Sequence, residues 1–311
     1  VFDDFDLSVW EHEVSLYGGY NGEFEWYTND RQNSYTKDGK LYITPTLTYK
    51  YLPCQCQDQL YNYALNLWDI APNVCTVSDE EGCYMQGSSD KIITPIRSAR
   101  IKTSKSFRFC YGKIEISAKL PAGAWLWPAV WMLPADNVYG GWPRSGEIDI
   151  IESRGNDQII VNGVNIGNEQ VLSTLHFGTW DQAAGTSVND KGFVNDFHIY
   201  KMEWTPDYIE FQVDNNQPWR VSGPFANGYT GSPNKMAPFD QQFYFIVNLG
   251  VGGILGYFPD NAWYPIGKPW QNADGRRTGQ TKFWWSEHWI SYENDPEQSS
   301  LQLDYIKVWA I

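Results

Sequence analysis

No apolar run in this 311-residue chain is long enough to cross a bilayer as a helix, which excludes a helical membrane span. Internal repeats, linkers and low-complexity tracts are also missing, so residues 1–311 read as a single domain. Helical periodicity is scarce, which argues against a helix bundle. Positive charge is in short supply: 23 Lys and Arg face 37 Asp and Glu, for a net charge of −14. So acidic a surface repels nucleic acid and anionic membranes, and it disfavours sulfated or uronic polysaccharides. A neutral polymer carries no such penalty. Cysteine is limited to five residues, Cys54, Cys56, Cys75, Cys83 and Cys110. The odd count leaves at least one unpaired within the chain, and no C-x-x-C pair or neighbouring His cluster suggests zinc. Local disulfides in a secreted protein suit this grouping. Cys75–Cys83 closing a short loop is the favoured pair, with the full connectivity left open. The first residue is Val1 rather than Met, which for a secreted chain is read as the trace of a removed signal peptide. No N-x-S/T acceptor for N-glycosylation is present.

Aromatic residues are abundant, with 16 Trp, 20 Tyr and 15 Phe. Core packing accounts for part of them. The remainder fits sugar binding, where flat apolar ring faces lie against aromatic side chains. The most informative segment is GEIDIIE, residues 146–152, which crowds Glu147, Asp149 and Glu152 onto one short strand. Neighbouring carboxyls raise one another's pKa, and groups held at unequal pKa values divide the labour of acid and base. Hydrolysis of a glycosidic bond uses such a pair. Strand side chains alternate faces, so Glu147 and Asp149 share one face and Ile148 and Ile150 the other. Strict alternation sends Glu152 to the Ile side, where an unpaired carboxylate costs several kcal/mol. A β-bulge near Ile150 and Ile151 returns it to the acidic face, and bulges often re-aim side chains beside active sites. Spacing alone leaves open a plain solvated acidic strand face.

Alternating segments dominate the chain. They include 113–120 (KIEISAKL), 208–213 (YIEFQV), 243–249 (FYFIVNL) and 301–311 (LQLDYIKVWAI). Residues 197–204 and 208–213, joined by a Thr-Pro-Asp turn, read as a hairpin. Pro128 interrupts the apolar run 125–133, implying an edge strand or a bulge. Residues 58–68 fit a short helix or a strand. The weakly periodic stretches 53–89 and 259–300 read as long loops shaping a cleft. Many strands between Gly, Pro, Asn and Asp turns argue for an all-β sandwich or jelly roll.

The GEIDIIE segment, WPAVWMLP before it (127–134), the pair of strands in 98–123, and the later FHIYKMEWTPDYIEFQVDN, FYFIVNLGVGG and LQLDYIKVWAI resemble glycoside hydrolase family 16 in its bulged Glu-x-Asp-x-x-Glu form. ESRGN and FPDNAWYPIGKPW look most similar to animal-type endo-β-1,3-glucanases and the β-glucan recognition proteins related to them. The resemblance implies a β-jelly-roll sandwich whose concave face holds a polysaccharide groove. It also implies retaining hydrolysis of β-linked glucans, with Glu147 as nucleophile, Glu152 as general acid/base and Asp149 between them. Ile151 stands where many laminarinases carry Met, which keeps apolar bulk in the bulge.

Further site residues follow. Trp127 and Trp131, four apart, share a strand face. By resemblance Trp131 and Trp142 line sugar subsites near the cleaved bond, and His176 faces the groove. Asn33 and Arg100 match groups that bind glucose units on the non-reducing side. His12, His198 and His288 are read as structural. The resemblance also implies a structural calcium ion away from the cleft, held by Asp4, Gly39 and Asp304, with no cofactor for catalysis. The expected protein is a secreted, monomeric endo-β-1,3-glucanase acting on laminarin-like glucan. The alternatives are a non-catalytic β-1,3-glucan recognition protein of the same fold and a family member acting on mixed-linkage β-glucan.

Overall fold

The computed structural model describes residues 2–70, 74–77, 81–225 and 230–311. Its frame is a pair of seven-stranded antiparallel sheets. In chain order the strands are β1 (Glu11–Glu13), β2 (Ser34–Lys37), β3 (Lys40–Ile43), β4 (Arg100–Lys102), β5 (Gly112–Lys119), β6 (Leu126–Pro134), β7 (Glu147–Ser153), β8 (Gln170–Phe177), β9 (Asp181–Val188), β10 (His198–Trp204), β11 (Ile209–Val213), β12 (Trp219–Val221), β13 (Phe243–Val251) and β14 (Leu301–Trp309). One sheet runs β1-β4-β13-β6-β7-β8-β9, and the other β12-β11-β10-β5-β14-β3-β2. The all-β sandwich expected from the sequence is therefore present, and the 197–213 hairpin forms with Trp204 opposite Ile209.

Alternation explains the core. Ile114, Ile116 and Ala118 of β5, Tyr200, Met202 and Trp204 of β10, and Leu301 and Leu303 of β14 are buried. Val130 and Met132 of β6, Ile148 of β7, and Phe243, Phe245, Val247 and Leu249 of β13 are buried in the other sheet. Both sets belong to one continuous apolar cluster. Apolar burial of this kind contributes roughly 25 cal/mol per Å².

Two expectations need correction, and a third, open between helix and strand, is met by both. Strand β6 lies in the middle of its sheet, between β13 and β7, and is not an edge. Its ladder with β7 begins only at Ala129, so Pro128 stands outside it and its missing N–H breaks no bond there. Residues 58–68 hold both kinds of structure: a turn of helix over Gln59–Asn62, a strand over Ala64–Asn66, and a second helical turn from Leu67. The stretch 259–300 is no plain loop, because it carries helices α1 (Arg276–Trp285) and α2 (Ile290–Asn294). The buried side of α1 includes Gly279, Gln280 and Thr281, so its periodicity is hidden by polar residues. Gln280 is accepted there because its Nε2 donates to the Ile92 carbonyl at 2.7 Å.

Cys75 and Cys83 form the expected disulfide, with Cα atoms 5.9 Å apart. Cys54 and Cys56 form a second. Cys110 is a free, half-buried thiol that burial pushes up to about 11. No helix among the described residues is long and apolar enough to cross a membrane.

Candidate active site

Strand β7 presents the acidic row. Opposite β6, Asp149 pairs with Trp131 and Ile151 with Val130, so Ile150 is an extra residue. Opposite β8, Asp149 pairs with Thr174 and Glu152 with Leu172, a shift over the same stretch. This is the bulge expected at Ile150 and Ile151. Both isoleucines are buried, at 1% and 0% exposure, while Glu147 and Glu152 keep part of their surface open on the same side. The apolar residues absorb the kink, and the third carboxyl stays out of the core.

Each carboxyl has its own partner. Trp142 Nε1 donates to Glu147 Oε2 at 2.6 Å, and Trp127 Nε1 donates to Glu152 Oε1 at 3.1 Å. Asp149 is buried between them. His176 Nε2, from the facing position on β8, stands 3.1 Å from Asp149 Oδ2 and 4.0 Å from Glu147 Oε1. Burial pushes all three carboxyls above the ordinary carboxylate range. For Glu147 the charge of Asp149 adds to the rise, while His176 and the Trp142 N–H oppose it. For Asp149 the charge of Glu152 adds to it, and a hydrogen bond with Glu147 opposes it. For Glu152 the Trp127 N–H, His176 and Arg154 pull downward. The three carboxyls are coupled, and the row titrates as a set above the ordinary carboxylate range.

The aromatic residues divide by depth. Trp127 stacks face to face on Tyr257, ring centroids 3.6 Å apart, and Arg154 lies 4.0 Å from the Tyr257 ring. Trp131 is fixed by donation from its Nε1 to Asn248 Oδ1 at 2.7 Å. Trp142 is 51% exposed and leans on His176. These three Trp residues and His176 come together around the acidic row. Asn33 and Arg100 do not join them. Asn33 is fully buried, and its Nδ2 donates to the carbonyls of Thr44 and Arg97 and to Thr46 Oγ1. A residue with no accessible surface and its donors spent inside is structural. Arg100 is 5% exposed, 4.6 Å from the Tyr27 ring and 5.5 Å from that of Trp131, with Glu13 Oε2 at 3.6 Å. It supports Trp131 from within the fold and does not open onto the face.

His12, His198 and His288 have the structural bonds expected of them. His12 contacts Ser34 Oγ, His198 contacts Asp214, and His288 Nδ1 accepts from Trp125 Nε1. Sequence reading missed Asn248 and Tyr257. The first had a signal, a lone polar residue inside the apolar run FYFIVNL. The second lies in a loop without periodicity and had none.

Of the residues expected to hold calcium, Asp4 is exposed, and Gly39 and Asp304 are half-buried. Pairing of Leu41 with Leu303 puts Gly39 and Asp304 at one end of the β3–β14 ladder. The Gly39 carbonyl accepts the Phe2 N–H at 3.1 Å and keeps a second lone pair. Asp304 stands at a bulge, between residues paired with Ala118 and Ser117. Carboxylate and carbonyl oxygens of this kind fit a hard cation. Among the described residues, Glu147, Asp149 and His176 also bring ligand-type atoms within 4.8 Å of one another. They belong to the acidic row, and the two carboxyls share a hydrogen bond there.

The profile of glycosyl hydrolases family 16 matches residues 68–237. A beta-1,3-glucan-binding protein of Penaeus monodon is 41% identical over 99% of this chain and 88% of its own length. A glucan endo-1,3-beta-glucosidase A1 of Niallia circulans is 35% identical over 80% of this chain, which spans only 32% of that longer protein. The laminarinase of Rhodothermus marinus superposes with a TM-score of 0.61 at 25% identity, covering 99% of this chain and 92% of that one. Its jelly-roll sandwich is the architecture described above. Over half of this chain lies inside the family profile, and the chain belongs to glycosyl hydrolases family 16.

Proposed function

We propose that residues 1–311 form one catalytic unit, a secreted, monomeric, retaining endo-β-1,3-glucanase acting on laminarin-like glucan. The observation that carries this reading is the bulge in β7, which brings Glu152 to the face of Glu147 and Asp149. Retention needs two carboxyls about 5–5.5 Å apart across the scissile bond. Glu147 attacks the anomeric carbon as Glu152 gives its proton to the leaving oxygen. Glu152 then takes a proton from water, whose oxygen displaces Glu147 from the glycosyl-enzyme. The Trp142 N–H and His176 stabilise the Glu147 anion, and Asp149 takes up the proton that Glu147 shares at rest. Trp127, Trp131 and Trp142 supply ring faces for the sugar units. A calcium ion bound by Asp4, Gly39 and Asp304 is part of the proposal. It is structural, and no step of the reaction passes through it.

The second reading is a non-catalytic β-1,3-glucan recognition protein, favoured by the name of the Penaeus monodon relative. Retention of Glu147, Asp149 and Glu152 supports the enzyme. A reducing-sugar assay on laminarin decides between them. The expected outcome is turnover by the wild type, with loss of at least about 10³-fold in Glu147→Gln and glucan binding retained. Wild-type protein that binds laminarin without releasing reducing ends is a recognition protein.

A further inference from the structure

Trp180 has no part in the core. It closes the three-residue turn between β8 and β9, whose last pair is Phe177 opposite Asp181. Its side chain is 79% exposed. Its backbone φ is 150°, a region that L side chains rarely adopt. An exposed tryptophan at a position that favours glycine is poor for folding and invites a functional reason. Among the described residues its close ring partner is Trp142, met edge to face at 78° with centroids 5.2 Å apart. Trp142 is the residue whose indole N–H reaches Glu147. The two indoles therefore make an open corner at the Glu147 end of the acidic row, beyond His176.

We propose that Trp180 is a specificity-determining residue, the outer wall of a subsite in which one neutral β-glucan glucose unit lies against both indoles. The inference rests on the glucan reading above and adds to it a residue at the β8–β9 edge. A pyranose ring offers a flat C–H face to one indole and its edge to the other. Neither wall carries charge, so the corner selects a neutral sugar. Phe177, the last residue of β8 before this turn, packs with Phe225 and Phe239.

The test separates binding from turnover by using Glu147→Gln as the parent and titrating laminarihexaose by calorimetry. Adding Trp180→Gly weakens binding about tenfold, the scale of a lost aromatic contact. Adding Trp180→Phe recovers most of that loss. Melting temperature stays the same or rises in the glycine variant, because glycine accepts the φ of 150°. Weaker binding with undiminished stability is a pattern that a structural role does not give. Unchanged affinity in the glycine variant overturns the proposal, as does a fall in melting temperature that tracks the loss of binding. A parent that fails to bind laminarihexaose at all removes the glucan reading, and this inference with it.

Discussion

Glu152 is pulled in two directions. Burial raises its pKa, and the Trp127 indole N–H, which favours the anion, lowers it. General-acid work needs the protonated form, whose share falls as pH rises through the pKa. Replacing Trp127 with Phe removes the donor and keeps the ring against Tyr257. The Glu152 pKa then rises, so the alkaline limb of kcat against pH moves upward, by about one pH unit for a hydrogen bond to a charged group. A limb that stays put or moves down in kcat profiles on laminarin argues against this role for Trp127. The same scale shows where sequence reading fell short. Asn33 and Arg100 were matched by type, and type does not report depth. Both are buried, one bonded to backbone carbonyls and the other beneath Trp131. His176 was matched in the same way and does reach the acidic row, because β8 pairs it directly with Glu147.

Strand β7 is the decisive element. Its pattern, acidic at 147, 149 and 152 and apolar at 148, 150 and 151, is incompatible with strict alternation unless one residue is extra. That conflict made the bulge legible before any coordinates. Deleting Ile151 leaves Glu-x-Asp-x-Glu, which strict alternation holds on one face without a bulge. The third carboxyl then stays on the acidic face, and the expected result is a folded variant that still binds laminarin, destabilised by the loss of one buried Ile side chain, about 2–5 kcal/mol. A deletion variant that folds but no longer binds laminarin would falsify the extra-residue account of the bulge. Helix α1 was illegible for the opposite reason. Its buried residues include Gly279, Gln280 and Thr281, so polar residues mask its buried face, and the fold takes up the Gln280 amide N–H at the Ile92 carbonyl and the Thr281 hydroxyl at the Arg277 carbonyl.

Across the whole molecule, the chain ends meet the sandwich on one strand ladder. The N-terminal segment is bonded through Phe2 to Gly39, just before β3, and β3 pairs with β14 near the C-terminus. An ion at Asp4, Gly39 and Asp304 would tie these ends together and stabilise only the folded chain. Chelation is then expected to lower the melting temperature, on the order of 5 °C for a site well saturated beforehand, with recovery on adding calcium. Thermal melts that do not move with chelator count against that ion. The net charge of −14 acts at this scale too, favouring a neutral polymer over a polyanion.

By itself the sequence determined the all-β class, the bulged strand with its row of three carboxyls, and one disulfide. Each of these follows from local rules: side-chain alternation, turn residues and short loop closure. Only the tertiary structure decided which polar matches reach the open face, what fixes each indole, and that Trp142 and Trp180 share a corner. Those facts depend on contacts between strands far apart in the chain, and no local pattern encodes which side chains another strand will cover.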